Sequence, residues 1–267
     1  MILKIALVII VIYVLGCLLF YFLQHYFFFR PEILPSTFKY EYPFPFEELH
    51  FKMEDGGSIN GIYFRVPNAL GVVYYLKGNS KSIKGWGKFA KDYLSLGYDF
   101  FMMDYRGFGK SRGRRTENIL YSDAQHMYKW LASQYPEKKI VVIGRSYGTG
   151  IAARIASWNN PKLVLLDSPY FSFLHLIQHY GFLLPVKLLL RYRLRTDQFI
   201  HQISCPVYLI HGDKDRLIPY NMSKQLVALR PDHIKLITIK GGGHNNLPDY
   251  PSFHEALYAL LVQHSNS

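Results

Sequence analysis

The first 30 residues are dominated by an apolar run. Residues 5–23 contain no strongly polar side chain, and between positions 5 and 29 only Gln24 and His25 are strongly polar. An apolar helix of ~20 residues is long enough to cross the hydrocarbon core of a bilayer. The pattern therefore predicts a single-pass transmembrane anchor over residues 1–30.

A cleaved signal peptide is the main alternative for this run. Signal peptides have a shorter apolar region that ends at a small-residue cleavage site, whereas residues 21–29 are bulky and mostly aromatic. This difference favours an anchor. Positive charges flank the run on both sides, with Lys4 before it and Arg30 and Lys39 after it, so the side of the membrane that carries the rest of the chain stays open.

A change of pattern follows the apolar run. Residues 31–47 contain four prolines, which favour an extended linker because proline lacks an N–H donor and restricts the residue before it. Residues 49–53 and 59–66 then alternate between apolar and polar side chains on either side of Asp55-Gly56-Gly57. Such alternation around a turn sequence predicts an antiparallel hairpin.

Six short apolar runs follow the hairpin, and helix-length amphipathic stretches separate them. Runs of this length and composition are typical of strands that are buried on both faces. Alternating strands and helices predict an α/β class, here a mostly parallel eight-stranded sheet with helices on both faces, within one domain over residues 48–267. Functional sites in such sheets lie beyond the carboxyl ends of the strands. The runs are residues 72–76, 100–103, 140–143, 163–166, 207–210 and 234–239.

The chain has 31 basic and 19 acidic residues and a net charge of +12. A basic protein can contact anionic lipids, nucleic acid or acidic substrates, and charge alone does not choose among them. No recognisable nucleic-acid-binding motif accompanies the charge, so we expect no nucleic-acid partner. The two cysteines, Cys17 and Cys205, are too few for a disulfide framework or a zinc site.

Residues 144–148 carry a G-x-S-x-G motif with Ser146 at its centre. The motif lies directly after the predicted strand 140–143 and before a helix that opens at Ile151. This is the position that a nucleophile elbow requires, because small residues let the chain reverse sharply and expose the serine oxygen. Ser146 is therefore the candidate nucleophile, and a glycine-rich turn with an ordinary serine is the alternative.

A serine hydroxyl needs a base, and the base needs an acid that fixes its tautomer. Among eleven histidines, His244 directly follows three glycines after the last predicted strand. The turn after strand 207–210 carries Asp213 and Asp215, and we favour Asp215 as the acid, with Asp213 as a helix-cap or turn residue. Asp167, at the end of an earlier strand, is a third candidate. The order Ser, Asp, His is the one that α/β-hydrolases use.

Acyl transfer also needs hydrogen-bond donors for the developing oxyanion. The N–H of Tyr147, directly after Ser146, is one candidate. The loop 77–80 follows the strand 72–76 and is expected to supply the second donor through Asn79. A plain turn is the alternative for this loop.

Four blocks of sequence together resemble the small α/β-hydrolases of the serine aminopeptidase-like and palmitoyl-thioesterase-like branch, over residues 48–262. The resemblance implies that Ser146, Asp215 and His244 form a catalytic triad and that Asn79 and Tyr147 shape the oxyanion hole. It departs at position 77, where lysine stands in place of the histidine that relatives usually carry, and this departure concerns the geometry of the loop. The blocks are LKGNS at 76–80, MDYRGFGKSRG at 103–113, GRSYGTG at 144–150, and HGDKDRLIP at 211–219 with GGGHNN at 241–246.

Family members insert a cap between two strands, and here residues 168–202 form a short one. A helix that starts at Pro185 would place Lys187, Arg191 and Arg195 on one stripe. Such an amphipathic cap beside a membrane anchor would rest on lipid and admit an acyl chain. Ordinary core packing is the alternative.

These features predict a membrane-anchored serine hydrolase that cleaves carboxylic esters or thioesters with an apolar acyl group through an acyl-enzyme on Ser146. It would need no metal or organic cofactor, act on a small-molecule or lipid-like acyl substrate, and contact membrane lipids through the N-terminal helix. A serine peptidase or amidase is the first alternative, because fold does not fix substrate. A non-catalytic membrane-bound binding protein is the alternative from another class. The oligomeric state stays open.

Overall fold

One eight-stranded sheet forms the centre of the computed structural model, which describes residues 1–181 and 184–263. The strands are β1 (Phe46–Lys52), β2 (Ser58–Phe64), β3 (Val72–Leu76), β4 (Asp99–Met103), β5 (Ile140–Arg145), β6 (Leu163–Asp167), β7 (Val207–Gly212) and β8 (Ile234–Ile239). They lie side by side in the order β1-β2-β4-β3-β5-β6-β7-β8. Positions 182 and 183 of the predicted cap and residues 264–267 of the predicted domain lie outside the described residues.

Strands β1 and β2 pair antiparallel as the predicted hairpin. In its turn, Oδ1 of Asp55 accepts the Gly57 N–H at 3.1 Å, and Gly56 has φ +80°, a backbone conformation that favours glycine. Strand β2 also pairs antiparallel with β4, and each pairing from β4–β3 to β7–β8 is parallel. The predicted α/β class with a mostly parallel sheet is confirmed.

The described helices alternate with the parallel strands. They are α1 (Ile2–Phe28), α2 (Ile83–Trp86), α3 (Ala90–Leu94), α4 (Glu117–Ala132), α5 (Gly148–Trp158), α6 (Phe173–Tyr180), α7 (Val186–Leu189), α8 (Thr196–Phe199), α9 (Asn221–Leu229) and α10 (Pro251–Leu261). Single 3₁₀ turns lie at Gly87–Phe89, Glu137–Lys139, Ile200–Gln202 and Leu247–Asp249.

Strand β3 illustrates how the sheet is buried from both sides. All of its residues are buried, and neighbouring side chains point to opposite faces. The Tyr74 hydroxyl donates to the carbonyl of Ala124 in α4 at 3.2 Å, whereas the Tyr75 ring packs near Tyr93 in α3. Helices on both faces therefore account for the continuous apolar runs in the sequence.

Helix α1 is exposed along most of its length and joins the rest of the protein only near its end. Its 27 residues are long and apolar enough to cross a membrane. Gln24, the buried residue of this helix, contacts the cap: its Nε2 donates to the carbonyl of Leu189 at 3.1 Å. The carboxyl-terminal end of α1 is therefore attached to the domain that contains the sheet, whereas the remaining length of the helix is exposed.

The proline-containing segment 31–45 lies along the domain surface. The Leu34 N–H donates to the carbonyl of Gly109 at 2.9 Å, and the Tyr40 hydroxyl donates to Oδ1 of Asn60 at 2.8 Å. Both Leu34 and Tyr40 are buried. Strand β1 begins at position 46, two residues before the predicted domain start, and the division of the chain at 30 and 47 stays a prediction.

The cap between β6 and β7 contains the short helices α6, α7 and α8 in its described part. Helix α7 begins directly after Pro185, as predicted, but it ends at Leu189 because Leu190 is extended, with ψ 122°. The predicted amphipathic stripe through Lys187, Arg191 and Arg195 is therefore wrong.

Competing hydrogen bonds explain why this helix stops. Oε1 of Gln24 accepts the Arg191 N–H at 2.8 Å, and Oε2 of Glu117 accepts the N–H groups of Arg193 and Leu194. Leu194 also has φ +37°, outside the helical region. Side chains from α1 and α4 thus take the backbone donors that a longer α7 would have used.

Candidate active site

Ser146 lies in a sharp turn between β5 and α5. Its φ is +53°, the left-handed region that most residues avoid, and its N–H donates to the Asp167 carbonyl at 2.8 Å. A Cβ at Gly144 would lie 2.5 Å from the Gly148 carbonyl oxygen, and a Cβ at Gly148 would lie 2.0 Å from the Leu76 carbonyl oxygen. Both glycines of the motif are therefore required by close backbone contacts, as an elbow demands.

The structure brings the three predicted triad residues together. Nε2 of His244 lies 3.0 Å from Oγ of Ser146, and Nδ1 of His244 lies 2.7 Å from Oδ2 of Asp215. With the proton on Nδ1, the imidazole donates to the carboxylate and accepts from the serine hydroxyl. Hydroxyl, imidazole and carboxylate thus form one hydrogen-bonded chain above the carboxyl edge of the sheet.

Asp215 is held as a carboxylate by its surroundings. Oδ1 accepts the N–H groups of Leu217 and Ile218, each at 2.8 Å, and Oδ2 accepts hydrogen bonds from His211 and His244. Burial acts to raise the pKa of Asp215, but the hydrogen bonds from the two histidines and the backbone outweigh it and hold the pKa well below its usual range. The acid is therefore ionised throughout the neutral pH range.

His211 is a contributor to this site that the sequence patterns did not reveal. Its ring is fully buried, with Nε2 3.1 Å from Oδ2 of Asp215 and Nδ1 2.7 Å from the Ser223 hydroxyl. A proton on Nε2 satisfies both contacts, because Nδ1 then accepts from the serine. The available signal was a histidine at the end of a buried strand, four residues before the candidate acid.

The two other candidate acids have different partners. Oδ1 of Asp213 accepts the N–H of Gly241 at 2.7 Å, which ties its turn to the loop that carries His244. Asp167 lies 3.5 Å from Nε of Arg145, and Nη2 of Arg145 donates to the His244 carbonyl at 3.3 Å. Asp213 is therefore a loop residue rather than a helix cap, and Asp167 supports the backbone of the histidine loop indirectly.

The loop after β3 passes beside the candidate nucleophile. A Cβ added at Gly78 would lie 3.8 Å from Cβ of Ser146. The side chain of Asn79 donates from Nδ2 to the carbonyl of Phe28 at the end of α1. Because the Asn79 amide is engaged there, its backbone N–H is the candidate oxyanion donor from this loop, alongside the N–H of Tyr147.

Comparison with known proteins places this chain in a family. A family profile described as "Serine aminopeptidase, S33" matches residues 67–194. The uncharacterized protein Rv2307c of Mycobacterium tuberculosis is 30% identical over 200 residues, which cover 72% of this chain and 70% of that protein. The chain belongs to the α/β-hydrolase superfamily.

Further relatives extend the comparison. The lysophosphatidylserine lipase ABHD12 of Danio rerio is 28% identical over 178 residues, which cover 59% of this hydrolase and 47% of that protein. A solved esterase from Pyrococcus furiosus has a TM-score of 0.68 at 20% identity and covers 88% of this chain and 98% of its own. The second likeness shows the fold alone, and the chain is a hydrolase by family.

Lys77, the departure from the family pattern, is accommodated by a buried ion pair. Nζ of Lys77 lies 3.4 Å from Oδ1 of Asp104, 3.2 Å from the Lys81 carbonyl and 4.0 Å from the Phe108 ring centre. Burial lowers the pKa of Lys77 and raises the pKa of Asp104, and the attraction between the two opposite charges opposes both shifts. Asp104 also accepts the Ile83 N–H at 3.1 Å. Together these contacts hold both ends of the loop 77–83 of the hydrolase.

A pocket of about 390 Å³ opens above Ser146 and His244. Its size lies within the range of small-molecule sites. Aromatic and aliphatic side chains dominate its walls, and no aspartate or glutamate is among its described lining residues. Within residues 1–181 and 184–263, no group of three or more His, Cys, Asp or Glu side chains is arranged to hold a metal ion. The apolar walls include Phe27, Phe28, Phe173, Leu176, Ile177 and Leu217.

Proposed function

We propose that this hydrolase is a membrane-anchored serine esterase or thioesterase that forms an acyl-enzyme on Ser146. The observation that carries the proposal is the hydrogen-bonded chain from Asp215 through His244 to Ser146, with distances of 2.7 and 3.0 Å. Both distances are within the range that proton transfer requires.

The geometry is suited to a two-step acyl transfer. Oγ of Ser146 attacks the substrate carbonyl carbon while Nε2 of His244 takes the serine proton, and Asp215 stabilises the resulting imidazolium. The N–H groups of Asn79 and Tyr147 stabilise the oxyanion of the tetrahedral intermediate. Collapse of this intermediate breaks the ester or thioester bond, and His244 returns the proton to the leaving oxygen or sulfur. Water, activated by the same histidine, then releases the acid and restores Ser146.

The character of the pocket favours an acyl ester over a peptide. An aminopeptidase has to bind the charged α-ammonium group of its substrate, which calls for a carboxylate near the nucleophile. The charged side chains among the described lining residues, Arg30 and Arg145, are positive. The relatives named as a lipase and an esterase act on esters, which supports the same assignment. The family description "Serine aminopeptidase" keeps an aminopeptidase as the second candidate.

The anchor belongs to the same proposal. Residues 2–23 of α1 would span about 33 Å at about 1.5 Å per residue, which suffices for a hydrocarbon core of about 30 Å. The contacts that Gln24 makes with the cap favour a retained anchor over a cleaved signal, because cleavage within α1 would separate this residue from the helix that positions it.

Labelling with a fluorophosphonate probe tests the nucleophile. We expect a single adduct on Ser146 in the full-length protein reconstituted in phosphatidylcholine vesicles, and none in Ser146→Ala. Ser157→Ala, in the helix that follows the elbow, is the matched control and should be labelled like the unmodified protein. If the folded protein stays unlabelled, the result would contradict the catalytic role of Ser146 and favour a non-catalytic binding protein.

A substrate panel separates the two enzyme candidates. The unmodified protein is expected to turn over p-nitrophenyl esters and acyl-thioesters and to leave aminoacyl anilides intact. Faster cleavage of the anilides would instead favour the peptidase.

A further inference from the structure

The end of α1 is hydrogen-bonded to the candidate oxyanion loop. The Arg30 N–H donates to the Asn79 carbonyl at 3.0 Å, and the Arg30 carbonyl accepts the Lys81 N–H at 2.8 Å. These bonds form a short parallel bridge between Arg30 and Ser80. The Phe28 carbonyl, one of the terminal carbonyls that a helix leaves without an intrahelical partner, accepts the Asn79 side chain. Residues 27–30, which we call the foot of the apolar helix, are therefore joined by hydrogen bonds to the loop beside Ser146.

Aromatic packing holds the foot of the helix in place. Phe29 is 3% exposed, and its ring centre lies 5.2 Å from that of Tyr147 and 5.0 Å from that of Tyr192. The Phe28 ring meets the edge of Phe173, at the start of α6, with ring centres 5.2 Å apart. The helix foot therefore fills the space between the nucleophile elbow and the cap.

Consecutive residues of this foot have different environments. Phe29 points into the core, whereas Phe27 and Phe28 line the pocket above Ser146. Phe27 is 61% exposed although its side chain is large and apolar, and it lines the same pocket as Ser146. Leu176 and Ile177 of α6 also line this pocket. An acyl chain in the pocket would bury apolar surface against both α1 and α6.

The position of the pocket also indicates where the substrate comes from. The last turn of α1 lines the pocket, and the preceding turns of the same helix are apolar and exposed. Leu19 and Phe22 are among these exposed side chains. Transfer of an acyl chain from a bilayer into water becomes about fourfold less favourable for each methylene. A pocket whose wall continues into the bilayer allows the acyl chain to move along the helix without passing through water.

We propose that the last turn of α1 is the acyl-binding wall of the site, that Phe27 determines which acyl chains are accepted, and that the substrate is an ester lipid taken from the bilayer that holds the helix. This inference rests on the proposed ester hydrolysis at Ser146 and adds the source of the substrate and a specificity residue. Phe27 acts by contact with the acyl chain, so its removal affects long chains and spares short ones.

Chain-length profiles test the specificity residue. The full-length protein, reconstituted in phosphatidylcholine vesicles, is assayed with p-nitrophenyl acetate and p-nitrophenyl dodecanoate. In Phe27→Ala, we expect kcat/KM for the dodecanoate to fall about tenfold, mainly through KM, and kcat/KM for the acetate to stay within about twofold. Phe22→Ala is the matched control, because Phe22 is also 61% exposed, lies on the same helix and is absent from the pocket wall.

The outcomes separate this inference from the proposed function. Identical chain-length profiles in Phe27→Ala and Phe22→Ala, with normal fluorophosphonate labelling, would overturn the role of Phe27 and leave the esterase intact. Absence of labelling and turnover in the unmodified protein would instead overturn the esterase itself. If Phe27→Ala unfolds, Phe27→Leu keeps an apolar side chain and is expected to show the same selective loss at smaller size.

A vesicle-mixing experiment tests the source of the substrate. p-Nitrophenyl hexadecanoate, which stays in a bilayer, is placed either in the vesicles that hold the protein or in separate vesicles at the same total amount. Rates at least tenfold higher from the shared vesicles are expected. Equal rates from both arrangements, with unchanged hydrolysis of the soluble acetate, would show that the acyl chain enters from water.

Discussion

The two flanks of Ser146 are held by different kinds of interaction. On one flank, His244 and Asp215 form a chain of short hydrogen bonds that His211 extends into the core. On the other flank, the loop that carries Asn79 is held by the buried Lys77–Asp104 ion pair and by backbone bonds to Arg30, just after the end of α1. The proposed acid–base flank is thus built within the carboxyl-terminal part of the domain, whereas the proposed oxyanion flank depends on a distant segment of the chain.

This difference has a physical consequence. In the proposed mechanism the bonds of the acid–base flank stabilise the imidazolium that forms on His244, directly or through Asp215, so the loss of one of them is expected mainly in kcat. The ion pair of the oxyanion flank is buried in the core, where an unpaired charge has a high free-energy cost. Removal of one partner is therefore expected mainly to lower the stability of the fold. Four substitutions distinguish the two flanks, from the largest expected effect to the smallest.

Asp215→Asn breaks the acid–base flank at its centre. An amide stabilises the wrong tautomer of His244, and kcat for a p-nitrophenyl ester is expected to fall about 10⁴-fold with little change in KM. Asp213→Asn, on the same turn, is the control and should stay within about tenfold. A larger loss in Asp167→Asn than in Asp215→Asn would assign the acid to the earlier strand.

Lys77→Met removes one partner of the fully buried ion pair on the other flank. The Asp104 carboxylate is then left without its counter-charge, and the free energy of unfolding is expected to fall by about 3–5 kcal/mol. The measurement is denaturant unfolding in detergent micelles. Lys84→Met is the control, because its pair with Glu32 is half-exposed and should contribute less than about 1 kcal/mol.

Two outcomes would contradict this assignment of the Lys77–Asp104 pair. Equal destabilisation by Lys77→Met and Lys84→Met would show that burial does not determine how much the Lys77–Asp104 pair contributes to the free energy of unfolding. A Lys77→His protein, which carries the residue usual in the family, should be more stable than Lys77→Met; the opposite order would mean that the loop requires lysine.

His211→Asn removes one hydrogen bond to the Asp215 carboxylate, the proposed acid of the site. Loss of one hydrogen bond to a charged group corresponds to roughly tenfold to a hundredfold in kcat. Because the Asp215 pKa lies below its ordinary value of 3.8, its ionisation stabilises the fold above that pH, and this contribution is lost as the pH falls through the lowered pKa.

Removal of His211 raises that pKa, so acid unfolding is expected to begin at a higher pH than in the unmodified protein. Unfolding temperatures and kcat/KM measured from about pH 3 to 6 check both effects. Ser223→Ala removes only the outer partner of His211 and should change either quantity less. Unchanged acid sensitivity in His211→Asn would remove this histidine from the site.

Asn79→Ala distinguishes two roles for the oxyanion loop. If the side chain only ties the loop to the Phe28 carbonyl, loss of one hydrogen bond should lower kcat by roughly twofold to tenfold. If the side chain itself donates to the oxyanion, the loss should reach about 10²-fold to 10³-fold. A kcat measured with p-nitrophenyl acetate decides between them, and Ser80→Ala, the next residue of the loop, is the control.

Much of the fold was predictable because burial leaves a direct pattern in the sequence. The apolar run 72–76 coincides with β3 since helices cover both faces of the sheet there. Ser146 was predictable for a similar reason, because Gly144 and Gly148 mark close backbone contacts that no side chain could replace. The spatial meeting of Ser146, His244 and Asp215 agrees with the sequence analysis, and their catalytic roles stay predictions.

The remaining features depend on contacts between distant parts of the chain. The cap helix stops early because Glu117 and Gln24 take backbone donors from residues more than 70 positions away, which local periodicity does not reveal. His211 begins the block 211–219, but the block does not reveal that its ring contacts Asp215 inside the core. The bond between Asn79 and Phe28 joins two segments 51 residues apart.

The left-handed backbone conformation of Ser146 makes thermal stability and the proposed activity opposing requirements at one position. Glycine adopts φ +53° without the cost of about 1 kcal/mol that a side chain incurs there. A glycine at this position should therefore give a protein that melts at a higher temperature and has lost its nucleophile. The strain at position 146 is therefore a stability cost that the proposed reaction requires.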